Sequence, residues 1–441
     1  MGLIRAMMQT HRGDRLSREE LVRVQEHRRK ALVRHARAHS PFYRDLCADL
    51  PDDAALADLP VVTKPQMMAE FDRVLTDRRV TMARIEEFTA DLDHVGHKID
   101  GRYLVFKTSG STGNPAVVLY DSAMIGVSSA VAALRTFAKR DDLKAFLRHG
   151  KRTAGVFADR GFYLACGMSR YLQLRMPGKQ SKITVDVNAP EEEIVRQLNE
   201  FGPVMLSGYP SNLALLAEDE GLTIRPDVVI TGGELLTDAV RRKLTEKFGC
   251  TVQTHYSCTE GGEIACECAE EHLHINEDWV ILEPVDRDNR PVGFGVQSDK
   301  VLITNLANRI QPFIRYELTD RVIVHDKPCR CGRNTRWLEI EGRTDDTVLL
   351  PNGGKIAPMS LYKILEEVRA TRRFQLTQTA PDRFEVRLVS ECPEEAFAEA
   401  ERALTAFFAE KGCPEAVITL SGDAPRPDPV SGKFKHVVRS F

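Results

Sequence analysis

No apolar run in this 441-residue chain approaches the length of a membrane-crossing helix. Strong net charge is also missing. Sixty-one Lys and Arg against 64 Asp and Glu leave −3, which offers no electrostatic case for a nucleic-acid or membrane-surface partner. The apolar start Met1-Gly2-Leu3-Ile4-Arg5-Ala6-Met7-Met8 gives way at once to Gln9, His11 and Arg12. It lacks a signal-peptide core, so a cytoplasmic location is expected. Internal repeats and low-complexity tracts are absent too. Ten cysteines in such a chain point to thiols or metal ligands before disulfides. The composition, 42% hydrophobic and 28% charged, is that of an ordinary globular protein, and its length predicts two or three domains.

The most informative stretch is Lys107-Thr108-Ser109-Gly110-Ser111-Thr112-Gly113-Asn114-Pro115, set between the apolar runs 103–106 and 116–120. Two β-like runs joined by glycines and hydroxyls predict a hairpin with a phosphate clamp at its tip. Glycine lets backbone N–H groups turn toward an anion, and small hydroxyls add donors without bulk. No Gly-Lys-Ser/Thr closes the loop and a strand follows it, so this is not a Walker sequence. The alternative is an ordinary Ser/Gly-rich turn.

Ser17-Arg18-Glu19-Glu20 is a capping box and predicts a helix to about residue 39. Its basic run Arg28-Arg29-Lys30 reads as a solvated face, because no aromatics interleave. A short helix is expected near 67–71 and a buried one over 122–137. Strands at 153–158, 182–187, 204–207, 228–231 and 251–256 then alternate with helices at 191–200, 211–220 and 237–248, the pattern of a mostly parallel, helix-covered sheet. Ligands of such sheets sit at the C-terminal strand ends, where Ser207-Gly208-Tyr209-Pro210, Gly232-Gly233-Glu234 and Ser257-Cys258-Thr259-Glu260-Gly261-Gly262 fall. From about 280 to 344 strands and turns predict a β subdomain. Residues 345–441 read as a small α+β domain, and residues 1–344 as the large one.

Five separated blocks share the order found in adenylate-forming ligases: Thr108–Gly113, Tyr256-Ser257-Cys258-Thr259-Glu260, Arg315-Tyr316-Glu317-Leu318-Thr319-Asp320, Gly342-Arg343-Thr344-Asp345-Asp346 and Ser431-Gly432-Lys433. With Arg37–Arg44 and Leu59–Lys64, the chain most resembles the phenylacetate–CoA ligase branch. The resemblance implies an α/β fold with a large N-terminal domain and a mobile C-terminal one. It implies that Ser109, Gly110, Ser111, Thr112 and Gly113, with Thr108, hold the ATP β- and γ-phosphates. Thr259 would contact the α-phosphate and Glu260 would ligate Mg²⁺, a hard cation suited to carboxylate and phosphate oxygens. Gly233, Glu234 and Tyr256 would form the adenine slot, and Asp320 would accept the ribose hydroxyls. Lys433 would be the catalytic lysine, Lys435 being the alternative. Arg343 and Asp345 would stand at the junction, with Asp345 as the hinge. Many members have Lys where this chain has Asn114, and small residues where it has Cys258.

Cys266-Glu267-Cys268, His272-Leu273-His274 and Cys329-Arg330-Cys331-Gly332 form a second constellation, whose thiolates and imidazoles suit a closed structural Zn²⁺ site. Reduced surface thiols are the alternative. Some members of the resembled family carry Cys…His…Cys-x-Cys here, a pattern that maps on Cys268, His274, Cys329 and Cys331; Cys266 and His272 are alternates.

The resulting expectation is ATP-dependent activation of an aryl or arylacetic acid to an acyl-adenylate, followed by transfer to CoA. Phe157, Tyr163, Ser207, Tyr209 and Pro210 are the candidate acid-pocket residues. Partners are thus a small carboxylic acid and CoA, with no nucleic acid or membrane; a homodimer is compatible. Alternatives are a non-CoA acceptor, AMP transfer to a cofactor, and an inactive nucleotide-binding protein.

Overall fold

The computed structural model describes residues 2–108, 115–175, 181–343, 347–356, 358–369, 371–429 and 432–441. Ser109, Gly110, Ser111, Thr112, Gly113 and Asn114 of the glycine-rich loop, the hinge residue Asp345 and Ser431 lie outside the described residues. Among the described residues no helix is long and apolar enough to cross a membrane.

Ser17 and Glu20 exchange side-chain and backbone hydrogen bonds as a capping box, and the helix Arg18–His39 follows. Its basic run is not simply a solvated face. Arg29 is buried and donates to the Ala54 carbonyl, and the Arg28 guanidinium lies 3.5 Å from the Trp279 ring centroid. Both arginines bind the helix to the rest of the fold.

The expected hairpin is present. Strand β1 (Lys98–Ile99) pairs with β2 (Tyr103–Lys107), which pairs antiparallel with β3 (Val117–Tyr120). All four β3 residues are buried, so the strand shows a continuous apolar run rather than alternation.

In the large sheet, β4 (Thr153–Phe157), β5 (Lys182–Asp186), β6 (Met205–Gly208), β7 (Val228–Gly232) and β8 (Thr251–Cys258) are parallel, in the order β5-β4-β6-β7-β8. Beyond β8 the sheet turns antiparallel. It adds β9 (Gly262–Glu267) and β10 (Leu273–Ile275). The chain reverses between β8 and β9 in a tight turn, and so short a connection can only join antiparallel neighbours. At the turn's end Gly262 has φ +69°, where a Cβ would come within 2.6 Å of Met124.

The expected β subdomain is divided. Strands β11 (Val280–Val285), β12 (Lys300–Asn305) and β13 (Tyr316–Leu318) form their own antiparallel sheet. Strands β14 (Asp320–His325) and β15 (Trp337–Arg343) instead extend the large sheet through β10. A single core joins Leu32, Phe106, Tyr120, Tyr256, Trp279 and Tyr316.

The C-terminal residues gather a separate core around Leu361, Leu376, Phe384 and Phe408. It lies over β18 (Thr371–Ala380), β19 (Arg383–Ser390), β20 (Val417–Leu420) and β21 (Val437–Arg439), with the small hairpin β16 (Val348–Leu349) and β17 (Lys355–Ile356) nearby in sequence. Strand β21 is too short to read from sequence. It pairs parallel with β18 and anchors the chain just after Gly432-Lys433.

Candidate active site and metal cluster

The β8–β9 turn carries Thr259 and Glu260. Tyr120 of β3 donates to the Thr259 carbonyl at 2.8 Å, and Asn305 donates to that of Glu260 at 2.8 Å. The Glu260 side chain is buried, and its Oε1 accepts from the Tyr316 hydroxyl at 3.3 Å. Burial raises this carboxyl, while the cations of Lys64 and Arg343 and the Tyr316 bond lower it. A buried carboxylate fits a hard divalent cation, whose charge would favour the ionised form.

Asp320 opens β14 and faces Arg343 across the β14–β15 register. The Tyr256 hydroxyl donates to Asp320 Oδ2 at 3.0 Å, and Arg343 Nη2 donates to Thr319 Oγ1 at 2.7 Å. Tyr256 is 7% exposed, so its polar end orients the carboxylate expected to meet the ribose.

Lys433 comes from the C-terminal unit yet faces this cleft. Its Nζ stands 5.8 Å from the Tyr209 ring centroid. Burial lowers its proton affinity, Glu234 and Asp320 raise it, and Arg343 and Lys435 lower it again. The flanking backbone is pinned to the large unit: Phe434 N–H donates to Glu234 Oε1 at 2.6 Å, and Asn212 Nδ2 donates to the Gly432 carbonyl at 3.0 Å. Ser211 N–H donates to the other Glu234 oxygen at 3.2 Å. Away from the cleft, Thr237 Oγ1 donates to Glu366 at 3.1 Å. Lys433 is within electrostatic range of Glu234, Asp320 and Arg343.

Gly432 is required by this docking. Its φ is +68°, and a Cβ there would lie 2.2 Å from Val187 Cγ1. Gly432→Ala is expected to slow the adenylation step that the resemblance implies by about 5- to 150-fold, since strain of about 1–3 kcal/mol falls on the docked arrangement. The reaction of a supplied adenylate should be spared. Rates of the two half-reactions measured separately check this, and equal losses would contradict it.

Phe157 and Tyr209 meet edge to face at 5.2 Å. Tyr163 is within electrostatic range of Tyr209. The other two expected acid-pocket residues are turned to structure: Ser207 Oγ donates to the Ala154 carbonyl at 3.3 Å, and Pro210 is the buried first residue of the helix Pro210–Leu216. Thr108 closes the hairpin base, its Oγ1 accepting Ala116 N–H at 2.8 Å. Gly233, at φ +78°, packs where a Cβ would touch Tyr209 at 2.9 Å and Lys433 Cε at 3.4 Å.

The donor atoms of Cys268, His274, Cys329 and Cys331 lie within 4.8 Å of one another. Cys268 and Cys329 sulfurs are 3.8 Å apart, the edge expected of a tetrahedron with Zn–S bonds of about 2.3 Å. His274 Nδ1 lies 3.0 Å from the Thr335 carbonyl, which can only accept, so Nε2 presents its lone pair toward Cys331 at 3.3 Å. The donor set and its oriented imidazole fit Zn²⁺. Of the alternates, His272 touches Cys329 Sγ at 3.3 Å and stacks on Trp337. Cys266 groups elsewhere, with His255 and Glu263.

Sequence reasoning missed Tyr120, Asn212, Thr237 and Tyr316 as supports of the site. Tyr316 stands inside the Arg315–Asp320 block and was legible there; the others hydrogen-bond across long stretches of chain and leave no local pattern.

No protein-family model matches the chain. It is 28% identical over 368 residues to the phenylacetate–coenzyme A ligase of Thermus thermophilus, covering 79% of this chain and 76% of the relative. Among solved structures it is similar to 2-hydroxyisobutyryl-CoA ligase in the postadenylation state with 2-HIB-AMP. The TM-score there is 0.69 at 19% identity, over 94% of this chain and 88% of that one. The same ligase in its thioesterification state matches at a TM-score of 0.59 and 18% identity, over 97% and 91% of the two chains.

Proposed function

We propose that this chain, a member of the adenylate-forming ligase family and a homologue of phenylacetate–coenzyme A ligases, activates a carboxylic acid with ATP and passes the acyl group to coenzyme A. Pyrophosphate leaves in the first step and AMP in the second. The observation that supports the reading is the seating of the Gly432–Phe434 loop of the C-terminal unit on Asn212 and Glu234, with Lys433 Nζ 5.8 Å from the Tyr209 ring and within electrostatic range of Asp320 and Arg343.

Adenylation joins two anions, the acid's carboxylate and the α-phosphate, so cations and oriented donors must absorb the charge that develops. In this reading the Lys433 ammonium bridges the carboxylate and α-phosphate oxygens, and Arg343 adds positive potential. Thr259, held by Tyr120, contacts the α-phosphate. Asp320, oriented by Tyr256, takes the ribose hydroxyls, while Gly233, Glu234 and Tyr256 border the adenine. Glu260 would hold Mg²⁺, which supplies charge neutralisation on the phosphates. Thr108 to Gly113 clamp the leaving pyrophosphate. Phe157, Tyr163 and Tyr209 line an aromatic acid pocket, which supports an aryl or arylacetic substrate. Cys268, His274, Cys329 and Cys331 would hold a Zn²⁺ whose contribution is structural.

Admission of CoA then calls for withdrawal of Lys433 by rotation about Asp345. The contacts that must break are Phe434–Glu234, Gly432–Asn212 and Glu366–Thr237. Glu234 thus serves as a latch for the adenylating arrangement.

A screen of aryl and arylacetic acids for acid-dependent ATP–pyrophosphate exchange tests the reading. Exchange with at least one acid is expected; its absence across a broad acid panel would overturn it. Lys433 works protonated, and burial lowers its proton affinity below the ordinary 10.5. Exchange should therefore fall as pH rises, with an alkaline limb below 10.5. The residual exchange of Lys433→Arg should lack that limb, because guanidinium stays charged. An identical limb in the variant would assign it to another group.

A further inference from the structure

Strands β8 and β9 pair through an irregular register. His255 faces Cys266 and Tyr256 faces Ala265, but Ser257 faces Glu263, leaving Ile264 unpaired in a bulge. Without it, Glu263 and Cys266, three positions apart, would project to opposite faces. The extra residue resets the alternation, so His255, Glu263 and Cys266 share one face. Their donor atoms lie within 4.8 Å of one another.

Each group is prepared differently. His255 Nε2 is engaged at 3.3 Å by both the Thr136 carbonyl and the Gln253 side-chain amide, which leaves Nδ1 as the ring nitrogen that faces Glu263. A ligating imidazole is commonly oriented in this way, by a backbone carbonyl on its other nitrogen. Glu263 Oε2 is buried, 3.7 Å from that Nδ1, with no hydrogen-bond partner among the described residues. Cys266 is 1% exposed, and its sulfur accepts from Asn276 Nδ2 at 3.7 Å.

We propose that His255, Glu263 and Cys266 form a second metal site, distinct from the Cys268 cluster, for a borderline-soft divalent cation such as Zn²⁺. One imidazole, one carboxylate and one thiolate suit that class. They leave a fourth position for water. Cys266 pairs with His255 on one side and with His274 on the other, so the two sites are neighbours on one face of β8–β9–β10. The ion would cross-link the bulged hairpin whose turn carries Thr259 and Glu260, and so steady the phosphate-binding residues from behind.

The test is metal stoichiometry of the full-length protein, purified, dialysed against a weak chelator and reloaded with Zn²⁺. Wild type is expected to hold two equivalents, and Cys266→Ser and Glu263→Gln one each. The isosteric Glu263→Gln keeps the test open if Cys266→Ser fails to fold. Cys329→Ser should also hold one, and Co²⁺ in that variant should show a sulfur-to-metal charge-transfer band that the added Cys266→Ser substitution abolishes. One equivalent in wild type, unchanged by Cys266→Ser and Glu263→Gln and lost in Cys329→Ser, would overturn the second site and leave the first standing. No metal in wild type would overturn both.

Discussion

Lys433→Ala is expected to lower acid-dependent ATP–pyrophosphate exchange by about 10²–10³-fold, the range found when one donor to developing negative charge is removed. The loss should appear in the rate of exchange and much less in ATP binding, because the ammonium acts mainly as charge develops between carboxylate and phosphate. Thioester formation from a supplied acyl-adenylate should stay within a few-fold of wild type, since the proposed rotation withdraws Lys433 for that step. The asymmetry is the informative part. Lys433 is held by a loop pinned through Glu234 and Asn212, so the substitution removes a charge without removing the docking contacts. Equal losses in both half-reactions would contradict a cleft that changes partners between steps.

Cys329→Ser is expected to release the metal of the Cys268, His274, Cys329 and Cys331 cluster and to lower stability. Cys268 and Cys329 are separated by 61 positions. A cross-link closing a loop of that size restricts the unfolded chain by about 4 kcal/mol in the chain-entropy model, which sets the scale of its entropic contribution. The first thermal transition should move down accordingly. A strong chelator should lower the wild type in the same way and leave the variant unmoved. A wild-type protein with no bound metal and an unchanged transition would reject the cluster. This loss also differs from that of Lys433→Ala, which should leave the thermal transition in place.

The parallel half of the sheet was legible because buried strands such as 153–157 and 228–232 are continuous apolar runs set between helices. The capping box at Ser17 was legible for a local reason: its donors and acceptors are three residues apart. Strand β9 was not, because Gly262–Glu267 contains a charge at each end of its variable part and a cysteine, and reads as a ligand cluster. The helix Leu164–Arg175 was missed as well. Gly167 stands in its interior, where a Cβ would lie 2.8 Å from the Phe106 ring, so close packing overrides weak local propensity. In the site, Glu260, Asp320, Arg343 and Lys433 were legible as residue types in order. Glu234 was read only as part of an adenine slot. Its bond to Phe434 N–H depends on how two separately cored units meet, which no local pattern encodes. The roles of Arg28 and Arg29 were hidden similarly, since a basic run looks the same whether water or Trp279 and a carbonyl receive it.

The most direct test of the central claim is the product set formed by the wild-type protein from an aryl acid, ATP, Mg²⁺ and CoA, followed by mass spectrometry. Acyl-CoA and AMP in equal amounts, with an acyl-adenylate accumulating when CoA is withheld, is the predicted result. Acid-dependent formation of ADP and an acyl phosphate, or no acid-dependent consumption of ATP, would contradict it.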